Sequence, residues 1–169
     1  MVIKISTKRV YYPTMKSIKN ILPAIVYGGS DGAVTTFSVM AGAAGAGLDP
    51  KVIIILGCAN LASDGFSMAS ADFLSEESRA GANEKKSFKQ AIITFISFVG
   101  VGLVPLIPFL IALSVTLPAN EFLLSTILTF AAFVSIGYMR GYILKKNKLA
   151  MISQSVGIGT LCEIGRAHV

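Results

Sequence analysis

Long apolar segments dominate the chain and predict membrane-spanning helices. An α-helix rises about 1.5 Å per residue, so about 20 apolar residues cross a hydrocarbon layer of about 30 Å. Four segments reach that length with at most one charged residue each, namely residues 21–48, 52–71, 90–120 and 122–139. A fifth uncharged segment, residues 149–162, is too short for a complete span, so it is either an interfacial helix or a span that is cut off, and we favour the second interpretation. The pattern predicts an all-α integral membrane protein, a five-helix transmembrane bundle with a truncated fifth helix.

Composition and the placement of charges agree with a membrane protein and predict its orientation. Hydrophobic residues make up 53% of the chain and charged residues 14%, whereas soluble domains average about 25% charged residues. Basic residues occur before the first span and after the second and fourth, and Lys51 alone lies in the other set of loops. The positive-inside rule therefore predicts a cytoplasmic N-terminus. This placement explains the net charge of +6 without a nucleic-acid partner.

The ends of the chain differ from the transmembrane domain, which is predicted at residues 20–162. Residues 1–19 are predicted to form a basic cytoplasmic N-terminal segment. This segment either lies on the anionic headgroups of the membrane surface or is a disordered tail. Residues 163–169 break the apolar pattern and resemble the translated start of a sequencing adapter, so we expect a non-native tail on a chain cut within its fifth span. His168, the only histidine, therefore carries no functional argument. Cys58 and Cys162 lack the spacing of a zinc site or a disulfide framework.

Several local features predict how the helices begin, pack and bend. Pro23 suits the first turn of a helix, where its missing N–H costs nothing. The first span is rich in glycine and alanine, which lets a neighbouring backbone approach closely. The link around Asp49 and Pro50 is short, so the first two spans are predicted to be antiparallel neighbours. Pro105 and Pro108 predict a kink in the third span, because each removes a backbone donor.

Two aspartates inside the apolar segments are the strongest functional signal. A charge in hydrocarbon costs roughly 3 kcal/mol or more, so an intramembrane aspartate indicates a function by default. If Ile21 and Leu74 mark the same end of two antiparallel spans, Asp31 and Asp64 each lie ten residues from it, at a depth of about 15 Å. Two carboxylates close together in a low dielectric cannot both stay charged when the site is empty. We therefore expect them to share a proton or a divalent cation.

Polar side chains at helical spacing extend this candidate site along both spans. The predicted metal ligands are two carboxylates, one amide and one thioether: Asp31, Asp64, Asn60 and Met68. The side chains predicted to line the path of the ion are Thr35, Ser38, Ser67 and Asp72, the last as an entrance group. Oxygen ligands with a thioether suit Fe²⁺ or Mn²⁺ better than an alkali ion. The structural alternatives are that the aspartates cap helices or bond hydroxyls across the bundle, and that Met68 only packs.

Two segments resemble a known family of membrane transporters. The sequences SDGAVTTFSVMAGAAGAGL and ILGCANLASDGFSMASADFLS look like the paired first and second spans of the vacuolar iron transporter family. The resemblance implies a five-helix dimer that moves Fe²⁺, and sometimes Mn²⁺, out of the cytosol in exchange for protons. By position, Asp31 matches the family's first-span pore carboxylate and Met68 its second-span methionine.

Two departures separate this chain from the characterised vacuolar members. It has Asn60 where they have a glutamate, with Asp64 one turn further toward the cytoplasm. Residues 75–89 alone connect the second and third spans, where those members carry a long glutamate-rich metal-binding region. The chain therefore resembles the shorter, nodulin-like or prokaryotic branch of the family.

Together with this resemblance, which implies the dimer and the direction of transport, the sequence predicts a homodimeric carrier in a lipid bilayer that exports Fe²⁺ or Mn²⁺, as transported substrate, by proton antiport. Two alternatives stay open: a proton-coupled carrier of another cation or small molecule, and a non-transporting scaffold whose aspartates only hold helices together. No enzyme and no permanently bound cofactor are predicted, because there is no phosphate-cradling loop and no nucleophile paired with a base. The expected location is the plasma membrane for a prokaryotic source, and a vacuolar or other organelle membrane for a eukaryotic one.

Overall fold

The chain is helical throughout most of the part that the structure describes. The computed structural model describes residues 15–79, 81–114 and 120–166, and the predictions for residues 1–14 and 167–169 lie outside these ranges. Within them there are helices and no strand, which confirms the all-α prediction. A 3-10 turn, Val104–Leu106, joins the third helix to the fourth, so the bundle has five helical segments. The helices are α1 Met15–Gly45, α2 Pro50–Glu77, α3 Glu84–Gly102, α4 Ile107–Ala112, α5 Glu121–Leu144 and α6 Lys148–Arg166.

Three segments of the described chain are long and apolar enough to cross a membrane: Pro50–Glu77, Glu84–Ala112 and Glu121–Leu144. Their outer faces carry large exposed apolar side chains, which suit lipid better than water. The predicted first and fifth spans, in α1 and α6, fall outside this set. α1 is 31 residues long, but its glycines, its hydroxyl side chains and Asp31 lower its mean hydropathy. The chain is therefore a multi-pass membrane protein that contacts the lipid bilayer.

α1 packs closely against α3 through two glycines. A Cβ atom at Gly28 would overlap the backbone carbonyl of Thr94, and one at Gly32 would overlap that of Phe98. Because a larger residue does not fit, the two backbones come as close as small-residue packing in membranes allows. These two glycines of the first span therefore allow close contact with the third span. The sequence pattern does not identify the third span as their partner.

A short turn joins α1 to α2 and makes them an antiparallel pair, as predicted. Gly47 has a φ of 69°, in the left-handed region that glycine adopts without strain. Asp49 caps α2 by accepting a hydrogen bond from the Lys51 N–H at 2.8 Å, and Pro50 occupies the first turn. The cap and the proline fix where α2 begins. Residues equally far from this turn therefore lie at one level.

The third helical segment breaks at its two prolines. α3 ends at Gly102, the 3-10 turn carries Pro105, and α4 has Pro108 in its first turn. The buried Ser125 hydroxyl of α5 donates a hydrogen bond of 2.8 Å to the carbonyl of Pro105. A neighbouring helix thus satisfies a backbone group at the break, which is how prolines are tolerated inside membrane bundles.

α1 begins earlier than the hydropathy pattern predicts. Pro23 lies inside the helix, eight residues after Met15, and not in the first turn. The prediction was wrong because the helix continues through the polar stretch that precedes the apolar segment, where Lys19 remains exposed. Pro23 is itself exposed, so solvent or headgroups can satisfy the carbonyl that it leaves without a donor.

α5 and α6 form a second antiparallel pair. Lys145, with a φ of 54°, closes α5 in the left-handed conformation typical of helix ends. A Cβ atom at Gly137 would come within 2.5 Å of the Ile152 Cα atom of α6, so these helices also touch through backbone. α6 continues to Arg166, four residues into the segment 163–169, whose assignment as a non-native tail stays a prediction.

Candidate ion site

The register of α1 and α2 puts the two predicted carboxylates at one level. Asp31 lies 14 residues before the end of α1 at residue 45, and Asp64 lies 14 residues after the start of α2 at residue 50. Each is therefore about 21 Å from the connecting turn. A direct contact supports this register, because the Asn60 Nδ2 atom donates to the Thr35 hydroxyl at 3.5 Å and both residues are ten positions from the same helix ends. The aspartates follow one helical turn further from the connecting turn.

The hydroxyls of α1 are oriented by their own helix. Thr35 donates to the Asp31 carbonyl at 2.8 Å, and Ser38 donates to the Val34 carbonyl at 2.6 Å. With the proton engaged in this way, each hydroxyl presents only oxygen lone pairs to other groups. Thr35 uses one of them for Asn60. Both side chains thus have the acceptor character that a cation path requires.

Asp31 is half-buried and lines a cavity of about 350 Å³ between α1, α5 and α6. Tyr27 and Ser30 of α1, Arg140 of α5 and Ser155 of α6 also line it. The Arg140 Nη1 atom donates to the buried Ser155 hydroxyl at 3.1 Å. One acid and one base therefore share the walls of a cavity between three helices of a membrane protein, where charges are costly and usually functional.

The predicted ligands of α2 have different surroundings. Asp64 is half-buried and adjoins Gly65, which packs against α3. Met68 is half-buried and packs against the hydrophobic core formed by α1 to α4, whereas Ser67 is exposed. Asn60 contacts α1 through Thr35. The structure thus joins Asn60 to the α1 side of the candidate site and puts Met68 against the core, and the ligand roles stay predictions.

Asp72 lies at a second, more polar cavity of about 520 Å³, at the end of the bundle where α1 and α3 begin and α2 ends. Its Oδ2 atom accepts a hydrogen bond of 2.6 Å from the Thr94 hydroxyl, which belongs to a completely buried residue. Glu76 lines the same cavity and pairs with Arg79 at 3.2 Å. Asp72 is thus a carboxylate held in place at the end of the bundle, the position predicted for an entrance group.

Tyr27 links the two cavities, because it lines both. Asp72, Tyr27 and Asp31 therefore form a series of polar groups from one end of the bundle toward its middle. No three His, Cys, Asp or Glu side chains gather in one place within the described residues. A cation held between Asp31 and Asp64 would need amide, hydroxyl or carbonyl oxygens as its other ligands.

Sequence reasoning missed Arg140 and Thr94. The predicted fourth span, residues 122–139, ends directly before Arg140, whereas Arg140 lies inside α5, four residues before Leu144. Four uncharged residues separate it from Lys145, and this spacing was an available sign that the helix continues past it. Thr94 offered no sign, because a single threonine in an apolar span is ordinary.

These features define a class of protein: a multi-pass helical membrane protein with carboxylates inside its bundle. The sequence model of the VIT family matches residues 22–87 and 78–165. The chain belongs to the VIT family, which confirms the resemblance carried by its first two spans.

Two curated relatives are each named vacuolar iron transporter. The protein of Toxoplasma gondii (strain ATCC 50861 / VEG) is 40% identical over 52 residues, which are 31% of this chain and 17% of that protein. The protein of Plasmodium berghei (strain Anka) is 35% identical over 57 residues, which are 34% of this chain and 21% of that protein. The matches thus span about a fifth of the length of these relatives.

Proposed function

We propose that the chain is a subunit of a metal ion transporter that moves Fe²⁺, with Mn²⁺ as a second substrate, at the level of Asp31 and Asp64. Asn60 and Met68 complete the ion site, and Asp72 receives the ion at the end of the bundle. The transporter is a homodimer that exports the metal from the cytosol and takes up protons in exchange.

The observation that carries this proposal is the shared level of the two carboxylates. The contact between Thr35 and Asn60 one turn away supports that level, and Asp31 also faces a cavity. A divalent cation neutralises two carboxylates at once, whereas an alkali ion leaves one charge in a medium of low dielectric. At least one of the two carboxylates can take up a proton when the metal leaves. Exchange of protons for metal therefore has a physical basis in this pair.

The test is Fe²⁺ flux into proteoliposomes that carry a pH gradient. Asp31→Ala should lower the flux at least about tenfold, because even residues behind a metal ligand change metal affinity by that much. Glu77→Ala is the matched control, since it removes an exposed carboxylate at the end of α2 and should leave the flux unchanged. Equal flux in the wild type and Asp31→Ala would contradict the proposal.

A structural observation also favours the scaffold alternative. Two side-chain hydrogen bonds made by residues of the candidate site already join neighbouring helices, from Asn60 to Thr35 and from Thr94 to Asp72. If the aspartates only hold helices together, Asp64→Asn should keep every activity, because it keeps the shape and most of the hydrogen-bonding capacity. In a transporter the same change should abolish metal-dependent flux while the protein stays folded. Flux and thermal unfolding measured on one preparation separate the two functions.

A further inference from the structure

Arg140 is a charged side chain that is directed into the bundle. An arginine near the end of a membrane helix usually extends toward the headgroups. Here its Nη1 atom instead donates to Ser155 of α6 at 3.1 Å, and Ser155 is 6% exposed. Arg140 is itself half-buried and lines the cavity of Asp31. Its inward direction is therefore fixed by a contact with a neighbouring helix.

The directions of α1 and α5 bring Asp31 and Arg140 toward each other. The two helices are antiparallel, because Phe37 in the second half of α1 stacks on Phe122 at the start of α5, with ring centroids 5.7 Å apart. Side chains on a helix lean toward its N-terminus. Asp31 therefore leans toward the end of the bundle where α5 finishes, and Arg140 leans back toward the middle. Both reach the same cavity from opposite directions.

The cavity carries two side chains of opposite charge, which distinguishes it from an ordinary packing defect. Among the described residues that line it, Asp31 and Arg140 are the only charged ones. The Ser155 hydroxyl is neutral and cannot balance a guanidinium. An acid and a base that are half-buried at one cavity between membrane helices lower each other's cost of burial. A cation that arrives at Asp31 meets a positive charge already present.

We propose that Arg140 is the internal counter-charge of the ion site. Its guanidinium balances Asp31 while no metal is present, and a divalent cation that binds Asp31 displaces it. Arg140 is not itself a ligand, because a guanidinium has no lone pair to offer. It is a positioning residue that sets how tightly the site holds its ion. This inference rests on the proposed function for its metal step, whereas the pairing of the two side chains does not.

The first experiment measures the concentration dependence of Fe²⁺ flux in proteoliposomes. Arg140→Gln removes the competing charge, so the KM for Fe²⁺ should fall about tenfold, a factor within the usual range of coupling between two binding events. The maximal flux should fall as well, because nothing then helps to expel the ion from Asp31. Arg140→Lys keeps the charge and should stay close to the wild type in both quantities.

Two control variants separate this function from a structural one. Ser155→Ala removes the hydrogen bond that orients Arg140 but keeps the charge beside Asp31, so the KM should change much less than in Arg140→Gln. Lys145→Gln removes an exposed charge from the nearby turn and should leave the KM unchanged. If Ser155→Ala reproduces the effect of Arg140→Gln, Arg140 acts through packing alone and the inference is overturned. An unchanged KM in Arg140→Gln overturns it equally.

The second experiment contains no metal and compares thermal unfolding of four proteins in chelator: the wild type, Asp31→Asn, Arg140→Gln and the double variant. Each single substitution leaves the other side chain without its opposite charge. The double variant should therefore have a melting temperature no lower than that of the less stable single variant. Additive losses would overturn the pairing. If the wild type moves neither Fe²⁺ nor Mn²⁺, the proposed function fails and the displacement step fails with it. The unfolding cycle then still decides whether Arg140 balances Asp31.

Discussion

Two completely buried threonines, Thr36 on α1 and Thr94 on α3, differ in whether their hydroxyls have a partner. Thr94 donates to Asp72, whereas the Thr36 hydroxyl makes no hydrogen bond within the described part of the chain. A buried hydroxyl without a partner costs about 1–3 kcal/mol, whereas a hydrogen bond to a charged group contributes about 1.5–3 kcal/mol. Thr36→Val should therefore leave the free energy of unfolding unchanged or raise it by about 1 kcal/mol, and Thr94→Val should lower it by about 1–3 kcal/mol.

The two variants are controls for each other, because the chemical change and the burial are the same. Unfolding in detergent, followed by circular dichroism at increasing temperature, should give a higher melting temperature for Thr36→Val than for Thr94→Val. The opposite order would show that the bond from Thr94 to Asp72 contributes little. Asp72 would then be oriented by the cavity and not by α3.

For single residues, the sequence predicted the depth of a side chain along its helix better than its contacts with other helices. The equal depth of Asp31 and Asp64 followed from the fixed rise per residue and one short turn, so it needed no knowledge of packing. The bond from Thr94 to Asp72 and the inward direction of Arg140 depend on how α3 and α6 lie against their neighbours. No local pattern specifies such contacts, because they join residues that are 22 and 15 positions from their partners.

Among the helices, the contact of α1 with α3 depends on a single kind of residue. Gly32 faces the backbone of Phe98 so closely that a Cβ atom would overlap the carbonyl, whereas a Cβ atom at Gly42 would meet nothing within 4 Å. Gly32→Ala should therefore separate the helices and cost about 3 kcal/mol of stability. Gly42→Ala should be neutral or stabilise by about 0.5–1 kcal/mol, because alanine favours helix over glycine. Melting temperatures of the two variants test this prediction, and equal losses would contradict it.

The contact between α1 and α3 also shows which properties of a helix can be predicted from a sequence pattern and which cannot. The break at Pro105 and Pro108 was predictable, because proline acts on its own backbone. The richness of α1 in glycine predicted a close neighbour without naming it, and the short turn suggested α2, although Gly28 and Gly32 face α3. The start of α1 was placed too late, since hydropathy marks where lipid begins and not where helical hydrogen bonding begins.

For the whole molecule, the helix directions collect most basic residues of the described helix ends and turns at one end. The start of α1, the link from α2 to α3 and the turn from α5 to α6 all lie there, whereas Lys51 and Arg166, the last residue of α6, lie at the other end. The positive-inside rule therefore predicts that the end with Ser78 is cytoplasmic and the turn at Ala46 is not. In a background with Cys58 and Cys162 replaced by serine, Ala46→Cys should react with a membrane-impermeant maleimide in intact cells.

Ser78→Cys supplies the reciprocal measurement, because Ser78 is exposed at the opposite end of α2. It should react only in inverted vesicles, and permeabilised membranes should label both variants equally. Labelling of both sites from both sides would mean that the chain inserts in two orientations, in spite of its charge asymmetry. Reversed labelling would put the cavity of Asp72 on the far side of the membrane. Asp72 would then mark the exit of the proposed path, and the direction of metal export would have to be reversed with it.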